Sequence, residues 1–235
     1  MSIIFKFFAI KFQGLKMIFY RRKALKYSEN HLPILLEIYK NFNAGNQLAS
    51  PRQPYKGWDT YMLLEKFKPS YIVEMGSGTS SAVFSLWANQ NNSKYTCYEN
   101  HPHWGKVTKD ILNEKDIEID IRIIPDRVSE DGKTTGFKEI IPEGADFIYI
   151  DGPPCKVNGK KVPNDDILRF FDSGGRPRTI VVDGRVATCD LIINSDIGIK
   201  YNFYPSFVYC LRNSKWLKSI KSGEHSVFTL DQDSV

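Results

Sequence analysis

Short apolar runs recur along the middle of the chain. Tyr71–Met75, Tyr95–Tyr98, Asp146–Ile150 and Thr179–Val182 are each four or five residues of mostly β-branched and aromatic character, the pattern of strands buried on both faces. Ile117–Ile124 instead alternates apolar and polar positions, as a half-buried strand does. The segments between them carry helical spacing: from a glycine-rich turn at 76–78 through about Ala88, then Trp104–Glu114, Asp165–Phe171 and Leu191–Asn194. Phe137–Ile141 reads as a helical turn. Phe203–Leu211 and Ser226–Leu230 read as two late strands joined through Ser222-Gly223. Strands alternating with helices imply an α/β fold, doubly wound, with a mostly parallel sheet covered on both faces. The last two strands lack a helix between them, so they are expected as an antiparallel pair at the sheet edge.

Upstream the pattern changes. Residues 1–22 are apolar and aromatic, but Lys6, Lys11 and Lys16 interrupt them. No run reaches the roughly 20 apolar residues that cross a bilayer, and there is no secretory pattern of basic start, unbroken apolar stretch and small-residue cleavage site. On a helical wheel Lys6, Gln13 and Lys16 share a side while Lys11 falls among apolar residues; Arg21, Arg22 and Lys23 follow. Two readings fit equally: a helix in a membrane interface with a basic flank, or a helix packed on the domain or on a second subunit. Ser28–Asn43 reads as a second helix with Pro33 near its start, Asn46–Tyr55 as a loop holding Pro51 and Pro54, and Tyr61–Phe67 as a short helix capped by Asp59 or Thr60 and ended by Pro69. The chain thus divides into a helical extension, 1–57, and an α/β domain, 58–235.

Composition narrows this. The chain has 235 residues, 42% hydrophobic and 25% charged, enough for one folded α/β domain. A net charge of +5 favours anionic partners but is too small to argue for nucleic acid. Cys97, Cys155, Cys189 and Cys210 stand far apart, with no C-x-x-C pair and no zinc-finger spacing. They are expected as free thiols in a cytoplasmic protein, with peripheral contact at the inner membrane face left open by the N-terminus.

The first apolar strand runs into Glu74-Met75-Gly76-Ser77-Gly78-Thr79-Ser80. Glycines permit a tight turn and close ligand approach, and the helix that follows offers free amide groups. In dinucleotide sites such amides cradle a pyrophosphate, but here Ser81 stands where the third glycine of G-x-G-x-x-G would be. Glu74 beside the turn repels a pyrophosphate and suits a cationic ligand. Glu99 ends the next strand, twenty-one residues after Gly78, where an acid meets ribose hydroxyls in this architecture. Asp126 follows the third strand, placed either to meet an adenine amino group or to cap a loop.

Together these motifs resemble class I S-adenosylmethionine-dependent methyltransferases over roughly Trp58 to Leu230. Tyr71-Ile-Val-Glu-Met-Gly-Ser-Gly-Thr-Ser-Ser resembles the first motif, and Glu99 in Tyr-Glu-Asn-His-Pro-His-Trp the acidic second motif. Ala145-Asp-Phe-Ile-Tyr-Ile-Asp151-Gly-Pro-Pro resembles the fourth strand, and Thr179-Ile-Val-Val-Asp183-Gly-Arg185 the fifth. The resemblance implies a Rossmann-like sheet of order 3-2-1-4-5-7-6. It implies S-adenosylmethionine as cofactor, held by Glu74, Gly76, Gly78 and Glu99 with contacts from Ser77, Thr79 and Ser80.

Fold does not set substrate, so the acceptor rests on Asp151 and Asp183, which end buried strands at the sheet's ligand-binding rim. Asp151 is expected beside the cofactor, and either carboxylate is placed to act as general base for an oxygen acceptor. The pair also resembles the divalent-metal site of catechol-type O-methyltransferases, with one ligand missing where Gly184 follows Asp183. The Asp-Gly-Pro-Pro loop and the Val-Asp-Gly-Arg strand loosely resemble methyltransferases acting on saccharides, pointing to a small-molecule or surface-glycan acceptor with Arg185 and Lys156 as anion contacts. A cap and a packed ring suit His101 and His103 better than a metal pair; His31 and His225 carry no role. Two rival readings remain, a nicotinamide-dependent oxidoreductase and a non-catalytic glycan-binding protein of the same fold.

Overall fold

The computed structural model describes residues 3–46, 53–213 and 223–230. Three helices lead: α1 (Ile3–His31), α2 (Pro33–Asn46) and α3 (Gln53–Phe67). Strands and helices then alternate through β1 (Tyr71–Met75), α4 (Thr79–Asn91), β2 (Lys94–Glu99), α5 (Pro102–Asn113) and β3 (Ile121–Ile123). A small hairpin, β4 (Asp126–Val128) with β5 (Thr135–Phe137), precedes β6 (Phe147–Ile150). A second hairpin, β7 (Lys156–Val157) with β8 (Lys160–Lys161), precedes α6 (Asp166–Asp172). The chain continues through β9 (Thr179–Val182), α7 (Val186–Ile193), α8 (Asp196–Lys200), β10 (Asn202–Tyr204), α9 (Phe207–Arg212) and β11 (Ser226–Thr229).

The main sheet runs β3-β2-β1-β6-β9-β11-β10. Numbered by its own strands this is the expected order 3-2-1-4-5-7-6, with the last strand in sequence antiparallel to both neighbours. Period-two alternation sorts the side chains of the buried strands into two layers. Val73, Met75, Ile148, Ile150, Ile180 and Val182 meet Ile167, Phe170, Ile192 and Tyr209 of α6, α7 and α9. Ile72, Phe147, Tyr149 and Val181 face the other way, onto Leu35, Ile38 and Phe42 of α2, Phe84 and Trp87 of α4, and Leu112 of α5. Ile38 and Phe42 are fully buried, each contributing about 1.5–3 kcal/mol. Helix α2, before residue 58, is therefore part of the core, and residues 57 and 58 both lie inside α3.

Several local expectations are corrected. Ser28 does not open a helix: α1 continues to His31, and the break comes at Leu32 because Pro33 lacks an N–H and takes the first position of α2. Gln53–Tyr55 are helical, since proline at 54 is tolerated in a first turn; the rest of that expected loop, 47–52, lies outside the described residues. Asp59 is consequently mid-helix and not a cap. Phe137–Ile141 is no helical turn: Phe137 ends β5, its N–H donating to both oxygens of buried Asp166 at 3.0 Å. Ile117–Ile124 supplies a strand only at 121–123. Phe203–Leu211 breaks at Pro205, after which Ser206 caps α9 by accepting from the Tyr209 N–H at 3.1 Å. Short apolar runs fit helix and strand alike, and here the cap decides. Ser222 lies outside the described residues. Cys97, Cys155, Cys189 and Cys210 are free thiols. Among the described residues, no helix is long and apolar enough to cross a membrane.

Candidate active site

The rim of the sheet at the C-terminal ends of β1, β2, β6 and β9 gathers most of the residues singled out in the sequence. Gly76 leaves β1 with φ +99°, a conformation that disfavours any side chain. Space forbids one too, because a Cβ there would lie 2.8 Å from the Gly152 amide nitrogen. The turn after β1 and the loop after β6 therefore lie backbone against backbone, tied by the Asp151 N–H donating to the Met75 carbonyl at 2.9 Å. Gly78 differs: among the described residues nothing stands within 4 Å of its Cβ position, just before α4. Its N–H donates to Ser81 Oγ at 3.0 Å. Thr79 is buried and Ser80 half-buried at the start of α4.

The two glutamates behave differently. Glu74 is wholly buried and accepts hydroxyl bonds from Ser80 at 2.5 Å, Ser81 at 2.6 Å and Tyr95 at 2.5 Å. Burial pushes its carboxyl up to about 7, against the pull of those hydroxyls. Glu74 is joined to the bend through Ser80 and through Ser81, which accepts the Gly78 N–H. Glu99 lies at the rim. Its Oε2 accepts the Ser77 N–H and hydroxyl, both at 2.8 Å, and its Oε1 accepts the His101 N–H at 2.8 Å. A carboxylate offers about four acceptor positions; among the described residues these contacts fill two on Oε2 and one on Oε1, leaving one on Oε1.

Past β6 and β9 the aspartates enter a charged chain. Lys56 of α3 reaches across to Asp183, 2.7 Å from Oδ1 and 2.5 Å from Oδ2. The Tyr149 hydroxyl lies 3.2 Å from Asp183 Oδ2 and 3.2 Å from His225 Nε2. His225 Nδ1 is 2.7 Å from Asp59 Oδ2, and Tyr20 of α1 donates to the other Asp59 oxygen. Burial by itself would raise Asp183. His225 and Lys56 outweigh it, aided by the hydrogen bonds from Lys56 and Tyr149, and hold it below its usual range. For His225, burial opposes the charged ring, but the Asp59 hydrogen bond and the Asp183 and Asp59 charges leave it raised. Asp151 is raised, first by the protein atoms crowding the crevice and next by the Asp183 charge, with Arg185 and Lys56 opposing. Half of its side chain still meets solvent, so water keeps that rise smaller than full enclosure would impose.

Arg185 clamps the loop after β6. Its guanidinium donates to the Pro153 carbonyl at 2.7 Å and to the Asp151 carbonyl, with Nε 3.6 Å from the Asp151 carboxylate. Asp126 and Lys156 are exposed, on the β4–β5 and β7–β8 hairpins. His101 precedes Pro102 at the start of α5, and the His103 ring packs 4.7 Å from Trp104. The Asp151–Asp183 pair does not suit a divalent metal, because both Asp183 oxygens hold the Lys56 ammonium. Among the described residues no group of three or more His, Cys, Asp or Glu is placed to hold one. Lys56 and Tyr149 were not singled out in the sequence, Asp59 was expected only as a helix cap, and His225 was assigned no role. Their contacts span 34 to 166 residues, and no local motif marks them.

No protein-family model matches the sequence, and no curated protein matches it. Solved structures do resemble the fold. The SAH-bound methyltransferase PaMTH1 of Podospora anserina matches at 14% identity and TM-score 0.52, covering 84% of this chain and 88% of its own. An O-methyltransferase from Bacillus cereus in complex with SAH matches at 13% identity and TM-score 0.52, covering 92% and 100%. A methyltransferase from Geobacter sulfurreducens matches at 11% identity and TM-score 0.51, covering 88% and 94%. At these identities the likeness speaks to architecture: the chain has the Rossmann-like fold of class I S-adenosylmethionine-dependent methyltransferases.

Proposed function

We propose that the protein is an S-adenosylmethionine-dependent methyltransferase that methylates an oxygen of a small-molecule acceptor. The observation that carries this reading is the meeting, at one rim, of the open Gly78 bend, the remaining acceptor position on Glu99 Oε1 and the Asp151 loop pressed against Gly76. These residues fit the group the fold implies. The space beside Gly78 would admit the cofactor close to the backbone, Glu99 would accept a ribose hydroxyl, and Ser80, whose hydroxyl donates to Glu74, would add a polar contact. When bound, S-adenosylmethionine supplies a methyl group activated on a sulfonium.

The chain's own residues then divide the labour. Asp151 Oδ, solvent-reachable and made more basic by its neighbour, takes the proton of the acceptor hydroxyl. Asp183, pinned by Lys56 and Tyr149, is not a base; it supplies the charge that lifts Asp151. Arg185 holds the Asp151 loop in register. The loose likeness to saccharide-acting methyltransferases directs the acceptor search to sugar hydroxyls first.

Calorimetric titration with S-adenosylhomocysteine (SAH) and with NAD tests the cofactor. SAH is expected to bind and NAD not, with Glu99→Gln weakening SAH about tenfold or more through a lost charge-assisted hydrogen bond. Binding of NAD without SAH would transfer the reading to an oxidoreductase. Labelled cofactor incubated with a panel of saccharides and small alcohols then identifies the acceptor.

A further inference from the structure

The N-terminal helix has two unlike faces. Its inner face is locked to the molecule. Met17, Ala24 and Ser28 are buried, Tyr20 bonds Asp59, and Arg21 pairs with Glu224 at 2.5 and 2.9 Å. Its outer face carries Phe12, Leu15 and Phe19 at i, i+3 and i+7, with Phe12 57% and Phe19 67% exposed and Ile18 beside them. Lys11 and Lys16 are exposed on either side of this stripe, and Arg22, Lys23 and Lys26 follow on the next turns. The Lys16 ammonium lies 4.7 Å from the Phe12 ring centre and that of Lys23 5.4 Å from Tyr27. Such side chains keep their stems on apolar surface while the charge sits at its edge. No Asp or Glu occurs between residues 3 and 28. Beside this face an apolar groove of about 790 Å³ lies between α1 and α3, lined by Tyr27, Trp58 and Met62 with exposed Lys23 and Lys66.

We infer that this face is a docking surface for a lipid bilayer rich in anionic headgroups. An exposed apolar stripe framed by cations and free of acids matches a surface that is apolar below and negative above. A second copy of the chain is the poorer occupant, because it would set this acid-free, basic helix against its like. The groove extends the apolar area toward α3, and the locked inner face holds the helix in place so that little ordering cost attends binding. Because α1 does not span, the contact is peripheral and salt-sensitive.

Co-sedimentation of the full chain with phosphatidylcholine vesicles, with and without phosphatidylglycerol, tests this. Binding is expected to the anionic vesicles and to weaken with added salt. The double variant Lys16→Glu/Lys23→Glu is expected to lower affinity about tenfold or more, and Phe12→Glu/Phe19→Glu to abolish it. All four positions are exposed, so circular dichroism and thermal unfolding should match the parent. No binding to either vesicle would overturn the inference. So would sedimentation velocity showing a dimer that Phe12→Glu/Phe19→Glu splits into monomers, which would make the stripe an interface between copies.

Discussion

Asp151 and Asp183 end neighbouring strands and look equivalent in the sequence, yet their surroundings drive them apart. Asp151 is lifted by the protein atoms crowding its crevice and by the Asp183 charge, a rise moderated by solvent over half its side chain, and Asp183 is lowered by His225 and Lys56. Asp151→Asn should therefore cost about a hundredfold in methyl transfer while SAH binding persists. Asp183→Asn removes the charge that raises Asp151, so the acid limb of the pH–rate profile should move to lower pH; an unmoved limb would remove Asp151 from the role of base. Glu74 offers a second titration. Its carboxyl is raised from 4.5 to about 7 in the fold, so the folded state favours the protonated form. The stability this group contributes is complete below about 4.5 and is lost as pH rises through about 7. Denaturant unfolding of Glu74→Gln against the parent should show the variant gaining relative stability across that window, by up to about 3 kcal/mol.

At the scale of elements, the site depends on two connections that touch: the turn from β1 into α4 and the loop from β6. Gly76 and Gly152 are in backbone contact, and a methyl group at 76 would meet Gly152 at 2.8 Å with φ already at +99°. Gly76→Ala should destabilise the fold by about 1–3 kcal/mol and push the Asp151 loop away from the Gly78 bend. Thermal unfolding and SAH calorimetry check both effects. Gly78 predicts the contrast, for its Cβ position is open. Gly78→Ala should therefore leave stability nearly unchanged while weakening SAH binding.

For the whole molecule, the helices before the α/β region are tied to its rim by buried polar contacts. Lys56 from α3 reaches Asp183, and Asp59 from the same helix holds His225 on β11's approach, where Glu224 takes Arg21 of α1. Asp59 also accepts the backbone N–H groups of Glu224 and His225, at 3.1 and 3.3 Å. Asp59→Asn should cost about 1–3 kcal/mol, since it weakens the buried acceptor of the His225 ring and of two backbone N–H groups. His225 is raised in the fold, so its stabilising contribution is complete below the ordinary histidine range and fades as pH climbs through the raised value. The penalty of Asp59→Asn should accordingly be larger at acidic than at alkaline pH. A penalty that does not vary with pH would show that the pair is not ionised.

The parallel sheet, its order and the glycine bend with its paired acids were legible in the chain itself. The strands, the bend and the acids are each written locally, in a run of four or five apolar residues, a φ that only glycine takes easily, or a carboxylate at a strand end, whereas the strand order was implied only by the family resemblance of the motifs together. The strand-or-helix choice at Phe207–Leu211 and at Phe137 was not, because short apolar runs suit both and a cap or a distant carboxylate decides. The chain Asp59–His225–Tyr149–Asp183–Lys56 belongs to tertiary structure alone. Its members are scattered over some 170 residues, and an ion pair buried between elements has no periodicity to announce it. Only when the sheet closes and α3 crosses its rim does each charge acquire the partner that sets its chemistry.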